Sequence, residues 1–266
     1  MAKGPGKSPR PSVVDSTPAP PATLHVSTMA WPKGATLHRI HLEKYAGDEF
    51  NPGVKGNARF SPIKSTKGEP IPALYGGNTF ECAAMETAFR DVPFAPGFKT
   101  YDKAKLKDQV HSQLTPGANL VLVDLRGKAL RKPGVGRKQM IDTEKDHYPA
   151  TREWAEAIHA QCPDVQGLCW VARQDDIAQA VMLFGDRIAS GVLRQTTPSR
   201  GLLNDGAAYD EVLSLAEQIG VNIVPGKTWV WCPNHRRQNG QGLAGDTVKG
   251  DNRPQAACIK VGSRTG

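Results

Sequence analysis

The sequence predicts an α+β fold, and three observations carry that prediction. Apolar runs of strand length, such as GANLVLVDL at 117–125 and AVMLFGD at 180–186, are bounded by turn residues. Helical periodicity is confined to a few separate stretches, clearest in TREWAEAIHAQ at 151–161 and YDEVLSLAEQI at 209–219. The two kinds of segment then mix without the regular spacing of βαβ units, which excludes a doubly wound sheet.

In chain order, residues 1–33 are rich in Pro, Ser, Gly and Ala and lack periodicity, so they are expected to form a disordered extension. A single folded domain is expected over 34–232, followed by a flexible basic tail at 233–266. ATLHRIHL reads as the first strand of the domain, and PALYGG ends a second. The stretch 78–91 reads as a helix, with Asn78 as its cap and Glu81 three residues on, as in a capping box. On that helix Cys82, Glu86 and Phe89 would share one face. Trp154 and Ile158, four apart, mark the buried face of the helix at 151–161, which Thr151 would cap. GLCWVAR at 167–173 and the 180–186 run are strands. Gly220 is placed to stop the helix at 209–219, and VNIV and TWVW are short late strands.

Bulk properties exclude several function classes. The 266 residues carry a formal net charge of +8, which favours anionic partners such as nucleotides, nucleic acid or an acidic protein. Much of that excess lies in the two tails, and only 6% of residues are aromatic, so no direct nucleic-acid binding is expected. The five cysteines form no CxxC pair, which argues against a zinc site or a disulfide framework. The N-terminus has no apolar signal region, and no run approaches the length of a membrane span. A cytoplasmic location without membrane association is the expectation.

The residues with the most chemistry fall between Leu37 and Arg90. Arg39 sits between histidines in an alternating segment; its plainer reading is an outward-facing strand residue. Arg59 stands in a loop of turn residues, where its guanidinium fork can reach a phosphate, or where it is simply a surface arginine. Tyr75 precedes Gly76 and Gly77, where a backbone can approach a ligand; a core tyrosine with a satisfied hydroxyl is the commoner case. Glu86 would be a carboxylate among apolar neighbours, which needs a function or an ion-pair partner. GVGRKQ at 134–139 lacks the spacing of a dinucleotide fingerprint. His147 and Tyr148 read as part of a polar loop before a helix.

Seven short segments carry a family resemblance: LHRIH, NARFSP, PALYGG, ETAFRDVP, IDTEKDHYPATREWAEAIHA, GLCWVARQDD and VMLFGDRI, in that order over about 37–188. Together they resemble the RES-domain family, bacterial toxins of toxin–antitoxin pairs. The resemblance implies a split β-core with flanking helices, similar to that of ADP-ribosyltransferases, around an NAD cleft. It implies cleavage of the nicotinamide–ribose bond of NAD⁺ by phosphorolysis or hydrolysis, with inorganic phosphate as a possible co-substrate and no metal. Some relatives transfer ADP-ribose to protein, which is the alternative activity. By position, Arg59 matches the family's arginine, and Arg39, Tyr75 and Glu86 match residues lining the cleft. The family's serine falls at Ala172, which has no hydroxyl. That departure supports a further alternative, a catalytically attenuated protein that binds NAD or antitoxin. The partner implied is a helix-turn-helix antitoxin.

Overall fold

The structure, a computed structural model, describes residues 16–225. The first 15 residues of the expected extension, the TWVW strand and the basic tail lie outside the described residues. Among the described residues, eleven strands and four α-helices follow in order. They are β1 (Thr28–Trp31), β2 (Leu37–Leu42), β3 (Ala73–Gly77), α1 (Phe80–Glu86), β4 (Lys99–Asp102), β5 (Gln109–Pro116), β6 (Leu120–Asp124) and α2 (Arg137–Met140). The rest are α3 (Tyr148–Gln161), β7 (Gly167–Val171), β8 (Gln179–Phe184), β9 (Leu193–Gln195), β10 (Arg200–Gly201), α4 (Gly206–Gln218) and β11 (Val221–Val224). The architecture is α+β, as the mixed patterning requires.

The main sheet runs β1-β6-β7-β8-β3-β2-β5-β10, with β9 also paired to β5. Only β6 and β7 are parallel within it, and the chain between them is the longest crossover, containing α2 and α3. β8 sits in the middle and is covered on both faces, which is why it reads as a continuous apolar run. Its Ala180, Met182 and Phe184 pack with Trp154, Ile158 and Trp170 on one side. Its Val181 and Leu183 pack with Leu37, Leu74 and Leu122 on the other. A third cluster joins α1 to α4 through Phe80, Phe89, Val212 and Leu215.

The sheet is split in the middle. β2 pairs with β5 along its whole length, and β3 with β8 along its own. β2 and β3 meet at one register pair only, His38 with Gly77. Beyond it the two strands diverge and a gap opens between their edges.

Several expectations are corrected. β1 lies inside the stretch expected to be disordered, and it pairs with β6 from Thr28↔Val123 to Trp31↔Leu120. α1 is shorter than the stretch 78–91. Its cap is Thr79, whose hydroxyl accepts from Cys82 N, while Asn78 instead pairs with Gln179 at the end of the β3–β8 ladder. Because α1 ends at Glu86, Phe89 does not share a face with Cys82, and the two are buried in different clusters. α3 begins at Tyr148 with a proline in its first turn, so Thr151 is a helix residue and not the cap. Gly220, at φ +64°, closes α4 as expected. Cys82, Cys162 and Cys169 are free thiols.

A polar chain centred on the buried His111 ties β2, β5, β10 and α4 together. Arg200 holds Glu211 through two nitrogens at 3.1 and 2.9 Å and donates to His111 Nδ1 at 2.9 Å. Arginine is only a donor, so Nδ1 is the bare nitrogen, and Nε2–H donates to His38 Nδ1 at 3.0 Å. Burial, reinforced by His38 and Arg200, pushes His111 down to about 3. Between that value and the ordinary histidine value of about 6.5 the unfolded chain binds a proton that the folded chain refuses. Stability is therefore predicted to fall as pH drops through this window. The thermal midpoint should decline less steeply with acid in a His111→Gln variant, and equal slopes would contradict the assignment.

Candidate functional site

The gap between β2 and β3 is the mouth of a cavity of about 270 Å³. Arg39, Ile40, His41 and Leu42 of β2 form one wall, and Ala73 and Tyr75 of β3 form the other. Arg59, Glu86, Arg90 and Tyr148 line it too, and these same four line a second cavity of about 760 Å³. The two are thus lobes of one cleft with a shared waist. Their sizes are those of small-molecule sites.

Arg59 stands at the waist, with only 7% of its surface exposed. Its position is set by its own backbone. The Arg59 carbonyl accepts from Thr151 Oγ1 on α3, and the N–H of the same peptide unit, on Phe60, donates to the Tyr75 hydroxyl at 3.2 Å. The guanidinium lies 5.7 Å from the centre of the Tyr148 ring, within cation–π range. Its Nη1 is 3.8 Å from Glu86 Oε2. That is an ion pair but too long for a hydrogen bond, so both groups keep capacity for a ligand. Arg59 Nε is buried with no hydrogen-bond partner. Glu86 is the last residue of α1, with 16% of its side chain exposed.

Tyr75 is anchored at both ends. Its ring meets Trp170 edge-on at 6.3 Å. Burial pushes its phenol up to about 12, so at neutral pH it keeps its proton and can donate while accepting from Phe60.

Arg39 is buried, not outward-facing, because the loop after β2 folds back over it. Its Nη1 donates to the carbonyls of Gly47 and Glu49, both at 2.6 Å. Burial lowers its pKa to about 10, so it remains charged at neutral pH. Gly47 packs closely under the end of the exposed Gln195 side chain. A Cβ there would lie 2.4 Å from Gln195 Oε1 and 2.9 Å from Ser112 Oγ. Gly47→Ala is predicted to push the exposed Gln195 side chain aside and to destabilise the fold by at most about 1 kcal/mol, read from denaturant unfolding. A larger loss would show that the buried Ser112 hydroxyl cannot yield.

The second lobe carries more charge, but most of it is paired. Lys145 bridges Asp91 at 2.8 Å, and Arg173 bridges Glu144. The Lys145 hydrogen bond holds the Asp91 carboxyl below its ordinary range. Among the described residues no group of three or more His, Cys, Asp or Glu side chains gathers as a metal site, and no helix is long and apolar enough to cross a membrane.

Arg39, Arg59, Tyr75 and Glu86 are therefore brought to one cavity. Ala172 is not among its lining residues. It follows β7, fully buried in the cluster around Trp170, and its carbonyl accepts from Arg137 at 3.2 Å. Sequence reasoning did not assign Tyr148 and Arg90 to the cleft. Pro149 was the available signal for Tyr148, because a proline in the first turn moves the helix start back to that residue and turns its ring inward.

Comparison with known proteins gives a family and a structural likeness. No curated protein matches the chain. The crystal structure of the M. tuberculosis MbcT–MbcA toxin–antitoxin complex contains a chain similar to this one, with 17% identity and a TM-score of 0.49 over 70% of this chain and 92% of that one. The RES domain model matches residues 36–201, which include both walls of the cleft and its waist. This chain belongs to the RES domain family.

Proposed function

We propose that this protein is an NAD⁺-degrading toxin that cleaves the nicotinamide–ribose bond. The observation that carries the reading is the Arg59–Glu86 pair at the waist of the cleft, held 3.8 Å apart with hydrogen-bonding capacity open on both sides. Departure of nicotinamide leaves a ribose with oxocarbenium character. The Glu86 carboxylate holds the ribose hydroxyls and balances the positive charge that develops. Arg59 binds the diphosphate through its fork, with Arg39 adding positive charge from the β2 wall. The Tyr75 ring walls the nicotinamide end. Phosphate or water attacks the anomeric carbon, takes the place of nicotinamide, and yields ADP-ribose 1″-phosphate or ADP-ribose. Transfer to a protein side chain is the same chemistry with a different acceptor.

The toxin would act in the cytoplasm, where NAD⁺ is available, and a helix-turn-helix antitoxin would be its partner. Ala172 supports one second reading: a protein attenuated in catalysis that still binds NAD⁺. The test is to incubate the protein with NAD⁺, with and without phosphate, and to follow nicotinamide. Release that depends on phosphate identifies phosphorolysis, and release without it identifies hydrolysis. If neither the natural chain nor Ala172→Ser releases nicotinamide, the enzyme reading is wrong. Tight binding with turnover only in Ala172→Ser would select the attenuated form.

A further inference from the structure

The cleft does not end at the second lobe. Met85, Val92, Pro93, Phe94 and Gln174 line that lobe and also a third cavity of about 420 Å³. The third cavity is different in character: Ala95, Pro96 and Ile219 complete its apolar wall, with Lys99 at its edge. Three chemistries thus follow one another: a first lobe walled by Tyr75 and Arg39, a charged second lobe, and an apolar pocket.

Two features of the third cavity offer contacts to a ligand. Phe94 is 81% exposed, so its ring face is open. It is held out there by design of the local backbone. It is the central residue of a three-residue turn closed by Ala95 N donating to Pro93 O at 3.0 Å, and prolines at 93 and 96 stiffen both sides. Lys99 Nζ ties the same loop through Ala95 O at 3.2 Å. In the lining of the same cavity, Gln174 Oε1 is buried and has no hydrogen-bond partner. Its Nε2 reaches Arg90 O only at the long distance of 3.5 Å, so the amide is weakly held. A buried acceptor left empty is costly, and the flat torsion at the end of a glutamine lets the amide turn to meet a donor.

We infer that Phe94 and Gln174 form a subsite for the adenine base of the dinucleotide. This rests on the NAD⁺ reading above and adds a base preference to it. Phe94 stacks on the purine, which any base satisfies. Gln174 pairs with the edge that carries the 6-amino group: Oε1 accepts from that amine and Nε2 donates to N7. Hypoxanthine presents a carbonyl at the same place and leaves Oε1 facing another acceptor.

The test is calorimetric titration of the full chain with ADP and with IDP, which reports base binding without turnover. The natural protein should bind ADP about tenfold more tightly than IDP. Phe94→Ala should weaken both by about tenfold and keep their ratio. Gln174→Ala should bring the ratio close to one, with Gln174→Leu as a second variant and circular dichroism as the check on folding. Equal affinity of the natural protein for ADP and IDP, no ADP binding, or an ADP affinity untouched by Phe94→Ala overturns the subsite. The two proposals separate cleanly. Nicotinamide release without ADP preference removes the subsite and leaves the cleavage; ADP preference without release does the reverse.

Discussion

Glu86→Gln is expected to lower nicotinamide release from NAD⁺ by about 10²–10³-fold and to change NAD⁺ affinity only a few-fold. The substitution keeps shape and removes the negative charge, so it removes what is felt only when positive charge builds on the ribose. The place of Glu86 sharpens the expectation. A carboxylate at the C-terminal end of a helix opposes the helix dipole. The residue is therefore not there to stabilise α1, and the thermal midpoint of the variant should fall only by what the long 3.8 Å contact with Arg59 contributes, far less than its activity. Single-turnover nicotinamide release, direct NAD⁺ binding and a melting curve give the three readings. A variant as fast as the natural protein would remove Glu86 from the chemistry. A variant that melts early would make it structural.

Arg59→Ala is expected to weaken NAD⁺ binding by about 10²-fold, the usual loss when one partner of a buried charge contact is truncated. The side chain can be removed without moving its loop, because the Arg59–Phe60 peptide is held by Thr151 on one side and Tyr75 on the other. Arg59→Lys keeps the charge but loses the planar fork, so it should recover only part of the affinity. Equal affinity in the natural, alanine and lysine forms would exclude Arg59 from the diphosphate site. Titration calorimetry with NAD⁺ decides it.

What could be read before the structure follows from where the apolar residues are. β2, β3, β6, β7, β8 and β11 were visible because each is an apolar or alternating run. β5 was not: it buries His111 and Ser112 in polar contacts, so its sequence looks polar although the strand is internal. β1 was hidden because its four residues sit in a proline-rich surround, and their strand state comes from the edge of β6. The Asn78–Glu81 pattern misplaced the cap of α1 by one residue because Asn78 extends the β3–β8 ladder. At the site, each of Arg39, Arg59, Tyr75 and Glu86 had an ordinary reading taken singly, and only the ordered motif set picked them out together. The Phe94 turn and the empty acceptor on Gln174 left no such mark, since both depend on loops meeting across 80 residues of chain.

The single junction between β2 and β3 also sets an order in time. Arg39, Arg59, Tyr75 and Glu86 all leave the ribosome within the first third of the chain. The strands that hold their walls do not: β5 frames β2, and β8, complete only at Phe184, frames β3. Contacts of such long sequence separation form late. A chain halted before β8 would carry every one of these four side chains and have no cleft to put them in.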